Sequence, residues 1–175
     1  MSELWTAFLD RDGTINEQPP EGGYVSNPDE LRLLPGACEA IRRLNEAGWR
    51  TVVVTNQRGI ALGLMTEQDL YRVHERLVEL LRACGATIDR IYHCPHEVGT
   101  CDCRKPGAGL LHRARADDPA IDFGRAVLIG DSQIDIDAGR AAGTRTVALG
   151  AAAGASHQTT DLDQAVDWAL TAAVA

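Results

Sequence analysis

The chain contains no apolar run near the ~20 residues that a bilayer crossing needs. Its first residues, Met1-Ser2-Glu3-Leu4, lack the basic start and apolar stretch of a secretory signal. It also lacks an excess of basic charge, with 17 Lys and Arg against 25 Asp and Glu and a formal net charge of −8. Nucleic acid and acidic membrane surfaces require a basic face, so neither is an expected partner. Internal repeats and domain linkers are absent as well. A chain of 175 residues can bury one real core and is read as one domain, residues 1–175. The expectation is a soluble, cytoplasmic monomer. Paired cysteines are also wanting: the count is five, an odd number, and three of them crowd into positions 94–103. In a reducing compartment that pattern favours metal over disulfides. Cys38 and Cys84 read as buried small apolar residues.

What the sequence does contain begins at its first strand. The apolar run Leu4 to Leu9 ends in Asp10-Arg11-Asp12-Gly13-Thr14. Residues i and i+2 of an extended chain share a face, so Asp10 and Asp12 can lean into one space if the strand runs through Asp10. Two like charges that close persist only with a cation between them or with one group protonated. Gly13 then lets the chain turn away.

Residues 13–35, rich in Gly, Pro, Asn and Glu, form a long connection, which in a compact domain is usually functional. The spacing of Ala37, Ala40, Ile41 and Leu44 predicts a helix over 36–47. Thr51-Val-Val-Val-Thr55 is a β-branched run typical of a buried parallel strand. Thr66 caps a helix to about Cys84, with an apolar stripe of Leu70, Val73, Leu77, Leu80 and Leu81. Further strands are expected over 88–93, 126–129 and 144–149, and helices over 107–116, 134–142 and 162–170. Strands alternating with helices imply βα crossovers and a parallel sheet. The polar groups Asp10, Asp12, Thr55 and Asp131 fall at C-terminal strand ends, where open α/β sheets bind their ligands.

A second constellation is Cys94-Pro-His96 followed after four residues by Cys101-Asp-Cys103. Two pairs of thiolate or imidazole ligands across a short loop supply the closed tetrahedral set of structural zinc. With every position filled by protein, none remains open for catalysis, so the zinc should brace a loop. Arg104 and Lys105 follow directly. His74, His93 and His112 read as surface or packing residues rather than ligands.

Asp10-Arg11-Asp12-Gly13-Thr14 resembles the nucleophile motif D-x-D-G-T of the haloacid dehalogenase superfamily of phosphotransferases. Thr55, Lys105 and Gly130-Asp131-Ser132-Gln133-Ile134-Asp135 are similar to its three later motifs, in the same order. The resemblance implies a Rossmann-like, doubly wound, mainly parallel sheet, and the insertion points are too short for a large cap domain. It implies that Asp10 attacks phosphorus and that Asp12 is the general acid and base. Mg²⁺ fits a phosphate ester facing carboxylates, with Asp10, Asp12 and Asp131 as the expected ligands. Thr55 would hold a phosphoryl oxygen and Lys105 balance the developing charge. Asp135 stands as either a support for the site or a first-turn acid favoured by the helix dipole.

Within that superfamily, C-P-H-x4-C-D-C-R-K-P is similar to two related groups, the D-glycero-D-manno-heptose 1,7-bisphosphate 7-phosphatases and the histidinol-phosphate phosphatases. Gly23-Tyr24-Val25 and Thr55-Asn56-Gln57-x-Gly59-Ile60-Ala61-x-Gly63 look more like the heptose enzymes. Substrate contacts are then expected from Gly23, Tyr24, Asn56, Gln57 and Ser132, with a sugar phosphate as substrate. Two departures are the long segment Glu17 to Gly22 and Arg58 at a position often small. Arg58 and Arg104 are expected to receive a second phosphate, since an Arg fork matches that group and would repel an ammonium. A receiver-type phosphoacceptor also combines acids, Thr and Lys, but there the extra acid does not come last and no cysteine loop follows. A zinc-ribbon binding module is disfavoured by the acidic balance and by the lack of interleaved aromatics around 94–105.

Overall fold

The computed structural model describes residues 4–174. The β-branched and apolar runs become six strands: β1 (Thr6–Leu9), β2 (Arg50–Asn56), β3 (Arg90–Cys94), β4 (Ala126–Gly130), β5 (Arg145–Leu149) and β6 (His157–Thr159). Five α-helices alternate with them: α1 (Ala37–Glu46), α2 (Glu67–Ala83), α3 (Gly109–Asp117), α4 (Gln133–Ala142) and α5 (Leu162–Ala173). The strands join one sheet in the order β3-β2-β1-β4-β5-β6, and every neighbouring pair is parallel. The chain works outward from β1 to one edge and then returns past β1 to the other. The reversal at β1 and β4 opens the crevice where such sheets take ligands.

Alternation along the strands divides the core in two. Ala7, Leu9, Val53, Val127 and Ile129 face α1, α2 and α5, whereas Phe8, Val52, Val54 and Leu128 face α3 and α4. This is a doubly wound sheet, covered on both faces. Leu70, Val73, Leu77 and Leu81 of α2 lie on its buried stripe, and Thr66 and Asp69 close a reciprocal capping box at its start. Burying each such side chain contributes roughly 1.5–3 kcal/mol.

Three features depart from the sequence reading. The Ala- and Gly-rich tail yields β6, a three-residue strand of His-Gln-Thr with no apolar alternation to announce it. The long connection 13–35 also holds structure that its composition did not announce: Ile15, Val25 and Leu31 are buried, Asn16 bridges to Leu33, and Asn27 caps a short 3-10 turn at Pro28–Glu30. Cys38 and Cys84 are not isolated apolar fillers. They are paired as a disulfide between α1 and the end of α2, Cα to Cα 6.3 Å. Helices α1 and α2 cover the same face of the sheet, which joins two positions that lie 46 residues apart. Among the described residues no helix is long and apolar enough to cross a membrane.

Gly139 of α4 marks a tight helix–sheet approach. A Cβ there would lie 2.5 Å from Thr146 Cγ2 and 3.1 Å from Leu128 Cβ, and both neighbours are fully buried. Gly139→Ala should therefore lower stability by about 1–3 kcal/mol, because overpacking outweighs the ~1 kcal/mol gain in helix propensity. Urea unfolding of the two proteins measures the sign directly.

Candidate active site

Four chain segments bring polar groups to the C-terminal edge of the sheet. Asp10 continues β1, its N–H donating to Ile129 O across to β4 at 3.0 Å. Thr55 ends β2, Lys105 follows the loop after β3, and Asp131 follows β4. The Lys105 ammonium is 2% exposed. It donates to Asp10 Oδ1 (2.7 Å), Val54 O (2.8 Å) and Asp135 Oδ1 (2.6 Å). Burial pushes the Asp10 carboxyl up to about 7, opposed by Lys105 and assisted by Asp135. The Lys105 pKa is raised, because the Asp10 and Asp135 carboxylates outweigh the burial that lowers it.

Asp135 serves the fold and the site at once. Ser132 N–H (3.1 Å) and Oγ–H (2.6 Å) donate to its Oδ2, closing the capping box of α4. Its other oxygen takes Lys105. Ser132 is thereby a helix cap rather than a free donor to substrate. Burial raises the Asp131 pKa first, and the Asp135 charge adds to it. Asp131 Oδ2 accepts from Gln18 Nε2 at 3.0 Å, a contact from the long 17–22 segment that sequence alone did not reveal. Gly13 leaves the room required: a Cβ there would sit 2.1 Å from Asp131 Oδ2.

Ligating oxygens of Asp10, Asp131 and Asp135 lie within 4.8 Å of one another and could hold a cation. The Asp12 carboxylate is not in that group. It is held instead by Arg11 Nε and Nη2 (both 3.1 Å), Asn16 Nδ2 (2.8 Å) and Gln57 Nε2 (3.1 Å). The chain bends after Asp10, so Asp10 and Asp12 do not share one strand face.

The expected substrate residues divide. Gln57 is fully buried and joins Asp12 to Thr55 Oγ1 (2.9 Å). The Asn56 side chain clamps the Lys105 backbone, donating to its O and accepting from its N, both at 3.0 Å. Both side chains hold other groups of the site; the Asp12 and Lys105 targets lie 45 and 49 residues away in sequence and left no local signal. Tyr24 packs over Gly59, where a Cβ would meet its ring at 2.8 Å. The Gly23-Tyr24 and Gly59 stretches are thus neighbours, and Gly23 is exposed. Arg58 is paired with Glu97 (2.6 Å). Arg104 keeps a buried Nη1 with no hydrogen-bond partner among the described residues.

Beside this centre, Cys94, His96, Cys101 and Cys103 gather their ligand atoms within 4.8 Å. Sulfur–sulfur separations are 3.2–3.5 Å, and His96 Nδ1 lies 3.2 and 3.6 Å from two of the sulfurs. A tetrahedral metal with ~2.3 Å thiolate bonds has edges of roughly 3.8 Å, close to this arrangement. His74 and His93 stand apart, with ring centres 6.0 Å from each other, and His112 lies against Phe123.

Residues 2–143 match the family model of haloacid dehalogenase-like hydrolases. The chain is 41% identical over 145 residues to a D-glycero-beta-D-manno-heptose-1,7-bisphosphate 7-phosphatase of Rhodopseudomonas palustris, covering 78% of each protein. It is 37% identical over 171 residues to the protein of that name from Escherichia coli, covering 93% of this chain and 86% of the other. A crystal structure of the D,D-heptose 1,7-bisphosphate phosphatase of B. bronchiseptica, complexed with magnesium and phosphate, superposes with a TM-score of 0.87 at 30% identity. That match covers 97% of this chain and 99% of the other.

His74 gives the region a pH signature. Burial, then Arg11 and His93, lower its pKa from 6.5 to about 2. The folded state therefore resists a proton that the unfolded state accepts below about pH 6.5, and the stability this represents is lost as pH falls from there. His74→Gln removes that loss. Between about pH 7.5 and pH 5 the stability of the unaltered chain should drop relative to the variant by roughly 2 kcal/mol, at ~1.4 kcal/mol per unit below 6.5. Urea titrations at the two pH values check it.

Proposed function

Because the chain belongs to the haloacid dehalogenase-like hydrolase family, we propose that it is a magnesium-dependent phosphomonoesterase. Its substrate on this reading is D-glycero-D-manno-heptose 1,7-bisphosphate, cleaved at C7 through an aspartyl-phosphate in the biosynthesis of nucleotide-activated heptose. The observation that carries the substrate is the 41% identity to a heptose bisphosphatase over 78% of both chains. The reaction is supported by Asp10, held at the crevice by the Lys105 ammonium.

An Asp10 carboxylate oxygen forms the new bond to phosphorus as the bond to the C7 oxygen breaks. Asp12 gives its proton to the departing alkoxide, then takes one from the water that hydrolyses the acyl phosphate. Lys105 and the Thr55 hydroxyl lie beside that centre and balance charge on the equatorial oxygens. Asp10 and Asp131 would hold Mg²⁺, with Asp135 behind them. When bound, the ion neutralises the repulsion between nucleophile and phosphate. Zn²⁺ suits the Cys94, His96, Cys101 and Cys103 donors, where it would brace the loop that delivers Arg104 and Lys105.

Arg58 and Arg104 are the residues assigned to the second phosphate, since each keeps a buried guanidinium nitrogen without a hydrogen-bond partner among the described residues, Arg58 also forming an ion pair with Glu97. Two measurements test the reading. Phosphate release with Mg²⁺ should give a kcat/KM for heptose 1,7-bisphosphate at least ~100-fold above that for histidinol phosphate, about 2.7 kcal/mol in the transition state. Arg104→Ala should erase much of the gap and spare small generic phosphates. Equal efficiency, or a preference for histidinol phosphate, reassigns the substrate. For the zinc, metal analysis should find about one ion per chain that survives a brief chelator wash. Cys101→Ser should lower the melting temperature first and the rate second. A metal-free protein of full stability and activity excludes the site.

A further inference from the structure

We propose that Arg11 and His74 are positioning residues that aim the Asp12 carboxylate at the leaving oxygen. The proposal rests on the reading of Asp12 as general acid and base. Its starting point is a cation that the proposed reaction does not use. Arg11 stands between the two reactive aspartates, yet its side chain is fully buried. A buried guanidinium carries a desolvation cost of several kcal/mol unless it is paired and hydrogen-bonded.

The pairing is specific. Arg11 Nε donates to Asp12 Oδ1 and Nη2 to Oδ2, each at 3.1 Å. Sequence neighbours on an extended chain point to opposite faces and cannot form such a fork. Here it forms because the backbone turns: Arg11 O accepts from the N–H groups of Ile15 (2.8 Å) and Asn16 (3.1 Å). Asn16 and Gln57 each reach only one oxygen of the carboxylate. Arg11 alone of these donors spans both, and so fixes the plane of the group.

The fork is itself anchored. Arg11 Nη1 lies 3.0 Å from His74 Nε2, 63 residues away on α2. A guanidinium keeps its protons, so the imidazole nitrogen is the acceptor and His74 is neutral with its proton on Nδ1. His74 is seated against the His93 ring, whose Nε2 meets Glu67 at 2.8 Å. The orientation of Asp12 is thereby referred to α2, a 17-residue helix on the main core face, rather than to its own loop. Catalysis is sensitive to this, since a misplacement of ~1 Å can reduce a rate about 100-fold.

The experiment exploits the leaving group. An alkoxide departs with a proton from Asp12, whereas p-nitrophenolate needs none. The phosphorylation step is followed in single turnover on the full chain with Mg²⁺, using heptose 1,7-bisphosphate and p-nitrophenyl phosphate. Asp12→Asn serves as reference, with Arg11→Lys, His74→Leu and His74→Gln beside it. Arg11→Lys and His74→Leu should lose at least about tenfold on the alkyl phosphate and less than about threefold on the aryl phosphate. Substrate KM should stay within about twofold, and His74→Gln should recover most of the His74→Leu loss, because its Oε1 can still accept from Arg11. If Arg11→Lys does not fold, the two His74 variants carry the test. Equal losses on both phosphates, or a loss carried by KM, overturn the positioning role while Asp12→Asn keeps its contrast. An Asp12→Asn that shows no contrast overturns the reading of Asp12, and this proposal with it.

Discussion

One ammonium group ties this molecule together at its working end. Lys105 Nζ is shared by Asp10, Asp135 and the carbonyl of Val54, so β1, β2 and α4 meet on a single buried charge. Such a cluster adds little net stability over apolar packing, since desolvation offsets attraction. Removing the cation alone, however, would strand two carboxylates in a dry site. What the cluster supplies is placement. The Lys105 backbone is clamped by Asn56, its head group by the strand end and the helix cap, and both ends of the side chain are fixed before any ligand arrives.

The fold was largely legible because its signals are local. Val-Val-Val in β2, the apolar stripe of α2 and the Thr66 cap each report their own element, and alternation of strand and helix fixes the parallel sheet. Asp10 and Asp131 could be placed at the crevice for the same reason, since each follows a strand that could be seen, whereas Lys105 was marked only by its resemblance to a family motif and by motif order. What stayed hidden depends on side chains that reach across the molecule. Gln57 and Asn56 look like substrate residues in the chain and turn out to hold Asp12, Thr55 and Lys105. Arg11 carries no local signal of its burial, which is complete. The Cys38–Cys84 pairing follows from two helices sharing one sheet face, and β6 is too short and too polar to carry a period.

The two departures from the pattern of the resembled heptose enzymes behave differently. The lengthened 17–22 segment folds back so that Gln18 supports Asp131, and a short way on Tyr24 covers Gly59. Gln18 thus reaches the wall of the crevice, while most of the 17–22 segment stays exposed. Arg58 is drawn toward Glu97 on the cysteine loop, and both it and Arg104 keep a buried nitrogen without a hydrogen-bond partner among the described residues. The rim of the site is built from such segments, one of them tied to Asp131 through Gln18.

The β6 edge of the sheet is a short one. Strand β6 is three residues long, polar, and paired through Val147, Ala148 and Leu149 of β5. A short edge offers few free N–H and C=O groups to a passing strand. Were the chain to stop at Leu149, the buried run Thr146-Val147-Ala148 would itself become the border, and the α5 side chains that cover Val127 and Ile129 would be gone. The residues after Leu149, which hold no catalytic motif, are in this sense the selvedge of the sheet: they finish its edge and cover its face.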